Sequence, residues 1–178
     1  MKYFIGIVPP EHIREKLTQI QQQFGDNRLE PHITVRPPVS PVNEEDWLDV
    51  ISSAASRIDP FVIELSGIDR FGTRVLYVRV HAPAITDLYD LLIPQLKEFE
   101  PHTIPEKQES FHPHLTLGRT WCGFSQEDFS AMSKLATEYL TSQEIFFVAS
   151  HIRVYYKPSQ QGRYERFRDV RLGNTTSL

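Results

Sequence analysis

Two short stretches carry the residue types that general acid–base chemistry needs. One is Pro31-His32-Ile33-Thr34-Val35, the other Pro113-His114-Leu115-Thr116-Leu117. Of the seven histidines, only His32 and His114 have a threonine two positions on. In an extended chain residues two apart share a face. His32 and Thr34 therefore point one way and Ile33 and Val35 the other, with Arg36 next along the first face. In the second stretch His114 and Thr116 share a face, and Leu115 and Leu117 the opposite one. An imidazole has an ordinary pKa near ~6.5 and serves as acid or base around neutrality. A threonine hydroxyl can donate to a phosphoryl oxygen. The two histidines lie 82 residues apart, so only the fold can unite them. Side by side, the strands would line a groove of twofold character suited to a tetrahedral oxyanion. One histidine would take a proton from the attacking oxygen and the other would protonate the departing one, with no metal or cofactor required. A single His-x-Thr would mean little, because threonine is a good strand residue and a surface histidine is ordinary. The repeat, with apolar residues in the alternate positions both times, singles these residues out.

Other candidates carry weaker signals. His112-Pro113-His114 places two imidazoles on one strand face, as a metal pair would, but no acidic or histidine partner stands nearby in sequence. Arg36 and Arg119 are either bidentate phosphate ligands or surface ion-pair partners. Tyr155, Tyr156 and Phe167 can stack nucleobases, though core and sheet packing is their commoner use. Phe71, Tyr77 and Trp121 share that ambiguity.

The elements that must position these residues read as follows. Residues 2–8 form a buried strand. Pro9-Pro10 opens a helix with Ile13, Leu17 and Ile20 at helical spacing, running to about Phe24, and Gly25-Asp26-Asn27 stops it. A strand over His32–Arg36 ends at Pro37, Pro38 and Pro41. Asn43 caps a helix over 44–58 with Trp47, Val50, Ile51 and Ala54 on its apolar stripe. Two strands over 61–68 and 74–82 turn near Phe71-Gly72. A helix over 84–99 carries Ile85, Leu88, Leu92 and Leu96, with Pro94 a possible kink. Residues 100–110 read as a loop at the entrance of a site. Ser125 caps a helix bearing Phe129, Met132, Leu135 and Leu140. The chain closes with a strand over 144–157 and another over 162–172, joined by a turn at 159–162. Helices mixed with antiparallel hairpins define an α+β chain.

Bulk properties narrow the function classes. The chain has 178 residues, 40% hydrophobic and 24% charged, an ordinary globular composition that fits one domain over 1–178. Its net charge of −4 excludes a general polyanion binder. From Glu144 onward, however, six Lys and Arg face three acids, so the C-terminal part is +3 and the rest −7. The lone Cys122 cannot form an internal disulfide, which suits a reducing cytoplasm. No secretory segment or roughly 20-residue apolar span is visible, and nothing advertises a partner face, so a monomer is expected.

The motifs "PHITV" and "PHLTL" resemble the paired His-x-Thr-x motifs of the two-histidine (2H) phosphoesterases. Within them the chain is most similar to the LigT-like RNA 2′,3′-cyclic phosphodiesterases, also described as 2′-5′ RNA ligases. The likeness covers most of the chain: an opening strand and helix, one motif early, one past the middle, and a closing hairpin with Gly162 and Tyr164. It implies a bilobal α+β fold of two related halves around a groove. It also implies that His32, Thr34, His114 and Thr116 hold and cleave a phosphodiester in RNA ends or cyclic nucleotides. By the same likeness His114 is the base activating water, His32 the acid for the leaving 3′ oxygen, and the product a 2′-phosphate. Arg119 matches a basic residue common after the family's second motif, whereas Arg36 stands where many larger members have an apolar residue. A non-catalytic RNA or nucleotide binder, or a hydrolase of a non-RNA cyclic phosphate, would use the same four groups.

Overall fold

The computed structural model describes residues 1–25, 29–101 and 111–174. Among these residues eight strands and four α-helices follow one another as β1 (Lys2–Ile7), α1 (Glu11–Gln22), β2 (Ile33–Val39), α2 (Glu44–Ala55), β3 (Phe61–Phe71), β4 (Val75–His81), α3 (Pro83–Leu96), β5 (His114–Arg119), α4 (Gln126–Ser142), β6 (Ile145–Ala149), β7 (His151–Lys157) and β8 (Glu165–Arg171). The loop expected over 100–110 falls almost entirely outside the described residues.

Local chemistry sets the boundaries. The Asn43 side chain accepts from the Asp46 amide at 3.3 Å, and Ser125 and Asp128 cap each other at the start of α4, relieving amides that have no helical partner. Gly72, with φ +55°, turns β3 into β4 in a left-handed conformation that costs glycine nothing. Pro94 stands inside α3 and offers no amide to the preceding turn, and a short 3₁₀ turn over Lys97–Phe99 ends the segment. Ile13, Leu17, Ile51, Ile85, Leu88, Leu92 and Phe129 are fully buried, so all four helices press their apolar stripes into one core.

All strands pair antiparallel in one sheet, ordered β6-β3-β4-β5-β2-β1-β7-β8. The 144–157 segment, expected as one strand, is two. β6 forms one edge of the sheet, while β7 lies in the other half between β1 and β8. Only Ser150 separates them, so the sheet must curl to bring its two halves together. The β2 strand also outlasts its prolines: Val39 still pairs with Tyr3. The register slips by one residue across Pro37-Pro38, so the residues without amides sit at an irregularity in the ladder.

Strand–helix–strand units repeat within this order. β1–α1–β2 and β4–α3–β5 place the first strand beside the last in both cases, and β2 meets β5 at the centre. That central junction, where the two His-x-Thr motifs lie, is held at Ile33 opposite Leu115.

Candidate functional site

The register at the junction determines which way the chemistry points. Ile33 and Leu115 are both fully buried on the core face. The residues flanking each of them therefore project to the opposite face. Continuing the antiparallel pairing by one residue each way sets His32 across from Thr116 and Thr34 across from His114. Each imidazole thus stands beside the hydroxyl of the other motif. His32, Thr34 and Thr116 line a cavity of about 400 Å³. His114 does not line that cavity, although its charge would disfavour protonation of His32.

Both motifs contain a β-bulge at the same place. Pairing with β1 steps from Thr34 to Arg36 across the adjacent residues Gly6 and Ile5, which leaves Val35 as an extra residue. Pairing with β4 steps from Thr116 to Gly118 across Tyr77 and Leu76, which leaves Leu117 extra. A bulge resets the in–out alternation of its strand. Val35 and Arg36 are consequently both buried, as are Leu117 and Gly118.

The bulge overturns the expected position of Arg36. Straight alternation puts it on the face of His32 and Thr34, but the structure turns it into the core. There Nε donates to Glu100 Oε2 at 3.0 Å, and the indole of Trp47 donates to the other carboxylate oxygen at 2.9 Å. The equivalent residue after the second bulge is Gly118, where a Cβ would meet the rings of Phe129 and Phe124 at 3.1 and 3.2 Å. One position further on, Arg119 comes round to the cavity and lines it.

Each histidine has its tautomer set locally. Nδ1 of His32 lies 2.8 Å from the Glu30 carbonyl oxygen, and Nδ1 of His114 lies 2.8 Å from that of His112. A carbonyl only accepts, so both Nδ1 atoms carry hydrogen. In the neutral ring Nε2 then keeps its lone pair. Burial pushes both imidazoles below their ordinary pKa. The guanidinium of Arg119 pushes both the same way, and the carbonyl bonds offset part of the drop.

The two surroundings differ. His32 lies over Gly6, where a Cβ would press on the Ile33 carbonyl at 3.2 Å and only touch the ring, and it tilts against Phe4 at 5.1 Å between centroids. Phe4 in turn stacks on Tyr155 at 4.4 Å. In the ladder of β4 and β5, Tyr77 takes the place that Gly6 has opposite Thr34. His114 meets Tyr77 at 5.3 Å and the half-exposed Phe71 edge-on at 4.9 Å. Tyr155 is core, whereas Phe167 packs on Tyr3 and Tyr156 and does not line the cavity. Trp121 is 60% exposed and carries the guanidiniums of Arg74 and Arg119. Among the described residues, no third histidine, cysteine or acid joins His112 and His114 into a metal-ligating group.

Two supports have no motif of their own. Arg153 donates to Glu30 at 2.6 Å through Nη1 and to Asp169 through Nε and Nη2 at 2.7 and 2.9 Å. The Tyr155 hydroxyl donates to the same Glu30 oxygen at 2.7 Å. Burial would raise the Glu30 pKa, but Tyr155 and Arg153 outweigh it and hold the carboxyl below its usual range. The residue whose carbonyl sets the His32 tautomer is thereby anchored as a carboxylate. On the other side Gln21 of α1, also buried, donates to the carbonyls of Leu117 at 3.1 Å and Thr116 at 3.3 Å. It satisfies backbone that the bulge takes out of the ladder. A glutamine inside the Ile13, Leu17, Ile20 stripe was the one readable signal for either support.

A family model for the 2′-5′ RNA ligase superfamily matches residues 9–156, and the chain belongs to that superfamily. It is 28% identical to the RNA 2′,3′-cyclic phosphodiesterase of Bacillus subtilis over 144 residues, covering 68% of this chain and 72% of that protein. It is also 28% identical to the RNA 2′,3′-cyclic phosphodiesterase of Methanocaldococcus jannaschii over 129 residues, covering 67% and 71%. In fold it superposes on the protein TT0787 of Thermus thermophilus with a TM-score of 0.71 and 19% identity, covering 98% of this chain and all of that one. Escherichia coli LigT, solved with NADP+, follows at a TM-score of 0.62 and 19% identity, with 97% and 98% covered. The fold is thus the α+β LigT-like one. Among the described residues no helix is long and apolar enough to cross a membrane.

Proposed function

We propose that the chain is a single two-lobed, metal-independent phosphoesterase. It opens a 2′,3′-cyclic phosphate, or a 2′-5′ phosphodiester, in RNA or a nucleotide to leave a 2′-phosphate. The observation carrying this reading is the central register, which turns both imidazoles and both hydroxyls to one face, where His32, Thr34 and Thr116 line a cavity. Thr34 and Thr116 donate to the non-bridging phosphoryl oxygens, and Arg119 balances the charge that builds there. Nε2 of His114 takes a proton from water as the water oxygen bonds to phosphorus. The bond from phosphorus to O3′ breaks, its electron pair stays on O3′, and protonated His32 supplies the proton. Burial is the largest influence on both rings and disfavours a proton on each, with the Glu30 carboxylate offsetting part of it at His32. The acid role for His32 rests on the likeness to the two-histidine phosphoesterases. Incubation with adenosine 2′,3′-cyclic monophosphate should yield adenosine 2′-monophosphate, resolved from the 3′ isomer by chromatography. The 3′ isomer, or saturable binding without product, would overturn this reading.

The pH profile follows from the same groups. The active form has one imidazole neutral and one protonated, and its population peaks midway between the pair's two apparent pKa values. Both histidines are pushed below ~6.5, so kcat/KM should peak on the acid side of that value. Arg119 lowers both, so Arg119→Ala should move both limbs to higher pH while weakening substrate binding. An unmoved profile would separate Arg119 from the histidines.

Glu30 acts as a positioning residue through its carbonyl and its charge. Glu30→Gln should lower kcat by roughly tenfold through misplacement of the ring. Loss of the carboxylate also makes His32 less willing to hold a proton, so the alkaline limb should move to lower pH. A role confined to folding would lower the rate and leave that limb in place.

A further inference from the structure

The cavity extends well beyond what one phosphoryl group fills. At about 400 Å³ it falls in the range of small-molecule sites. Its far wall is the β7–β8 hairpin, which contributes Lys157, Gly162, Arg163 and Tyr164. This wall is tied to the histidine centre: Tyr164 meets Phe4 edge-on at 4.9 Å, and Phe4 lies against His32. The hairpin loop is closed on itself, with the Gly162 amide donating to both the carbonyl and the hydroxyl of Ser159 at 3.2 and 3.0 Å.

Charge is distributed unevenly on this hairpin. Arg153 and Arg166 are committed to Glu30 and Asp169. Lys157 and Arg163 have no carboxylate within ion-pair distance among the described residues, and the Lys157 ammonium rests over the Tyr164 ring at 5.8 Å. Two cations of the β7–β8 hairpin thus line the cavity together with Arg119 of β5.

We infer that Lys157 and Arg163 form a second anion subsite, and that the preferred substrate carries a phosphate besides the one being cleaved. This rests on the phosphoesterase reading and narrows it to a phosphorylated nucleotide or an oligoribonucleotide end, rather than a bare nucleoside cyclic phosphate. No group is transferred at this subsite. It adds binding energy at a distance from the reacting phosphorus and fixes which end of the substrate enters. Such a contact weakens with salt, by roughly one phosphate's share of the dependence seen for single strands.

Calorimetric titration tests the subsite without requiring turnover. Adenosine 2′,5′-bisphosphate should bind at least about tenfold more tightly than adenosine 2′-monophosphate in moderate salt. The Lys157→Ala/Arg163→Ala variant should bring that ratio close to one, with an unchanged melting temperature as the control on folding. Equal affinities in the parent, or a preference that survives in the variant, would overturn the inference. A 3′→5′ diadenylate ending in a 2′-phosphate separates the two sources: a tighter fit than the bisphosphate assigns the subsite to an internucleotide phosphate, a looser fit to a 5′-terminal one. Hydrolysis of cyclic substrates without any bisphosphate preference would remove the subsite and leave the proposed activity standing. The preference without hydrolysis would do the reverse.

Discussion

His114→Ala should lower kcat/KM toward adenosine 2′,3′-cyclic monophosphate by about 10²- to 10⁴-fold, the range for losing a positioned acid or base. His32→Ala should do the same. Both imidazoles present Nε2 to the reaction because each Nδ1 is held by a backbone carbonyl. The two act on one bond-making and bond-breaking event. The double variant should therefore lose little more than the worse single variant, as for residues that work as a unit. Affinity for adenosine 2′-monophosphate should survive, since Thr34, Thr116 and Arg119 remain. His114 is only half-buried, between Tyr77 and the half-exposed Phe71, so removing its ring should cost little stability. Parent-like turnover in either single variant would end the two-histidine mechanism. A loss of both turnover and product affinity would recast the histidines as ligands of the phosphate.

Much of the arrangement was readable because it depends on short-range rules. The helix stripes, the Asn43 and Ser125 caps and the turn at Gly72 follow from spacing and side-chain chemistry alone, and all stand in the structure. The His-x-Thr face was readable because period-two alternation holds over four residues. It fails at the fifth, just past the extra residue of each bulge, and a bulge depends on the partner strand rather than on the residues that contain it. That is why Arg36 was expected in the groove and is found in the core. For Arg119, strict alternation would have hidden a residue that the bulge delivers to the cavity. Ser150 carries no strong punctuation, so nothing local announced that β6 and β7 part to opposite halves of the sheet. The anchoring of Glu30 spans more than 120 positions, from Glu30 to Arg153 and Tyr155, and no local pattern encodes a pairing of that range.

The buried position of Arg36 has a large consequence for stability. Arg36→Met should destabilise the protein by about 3–5 kcal/mol, the usual effect of removing one partner of a buried ion pair. The Glu100 side chain is 1% exposed. Without Arg36 its carboxylate would keep the Trp47 indole donor at 2.9 Å but lose the guanidinium. That leaves a buried carboxylate with one neutral donor, which is the source of the penalty. Arg36→Met/Glu100→Gln removes the stranded charge while retaining an oxygen for the indole, and should recover most of the loss. Denaturant melts, read beside kcat on the cyclic nucleotide, distinguish this role from catalysis. A stable Arg36→Met protein with weakened substrate binding would return Arg36 to the phosphate site, whereas a loss of stability with kcat per folded molecule preserved would keep it as the strut beneath β2.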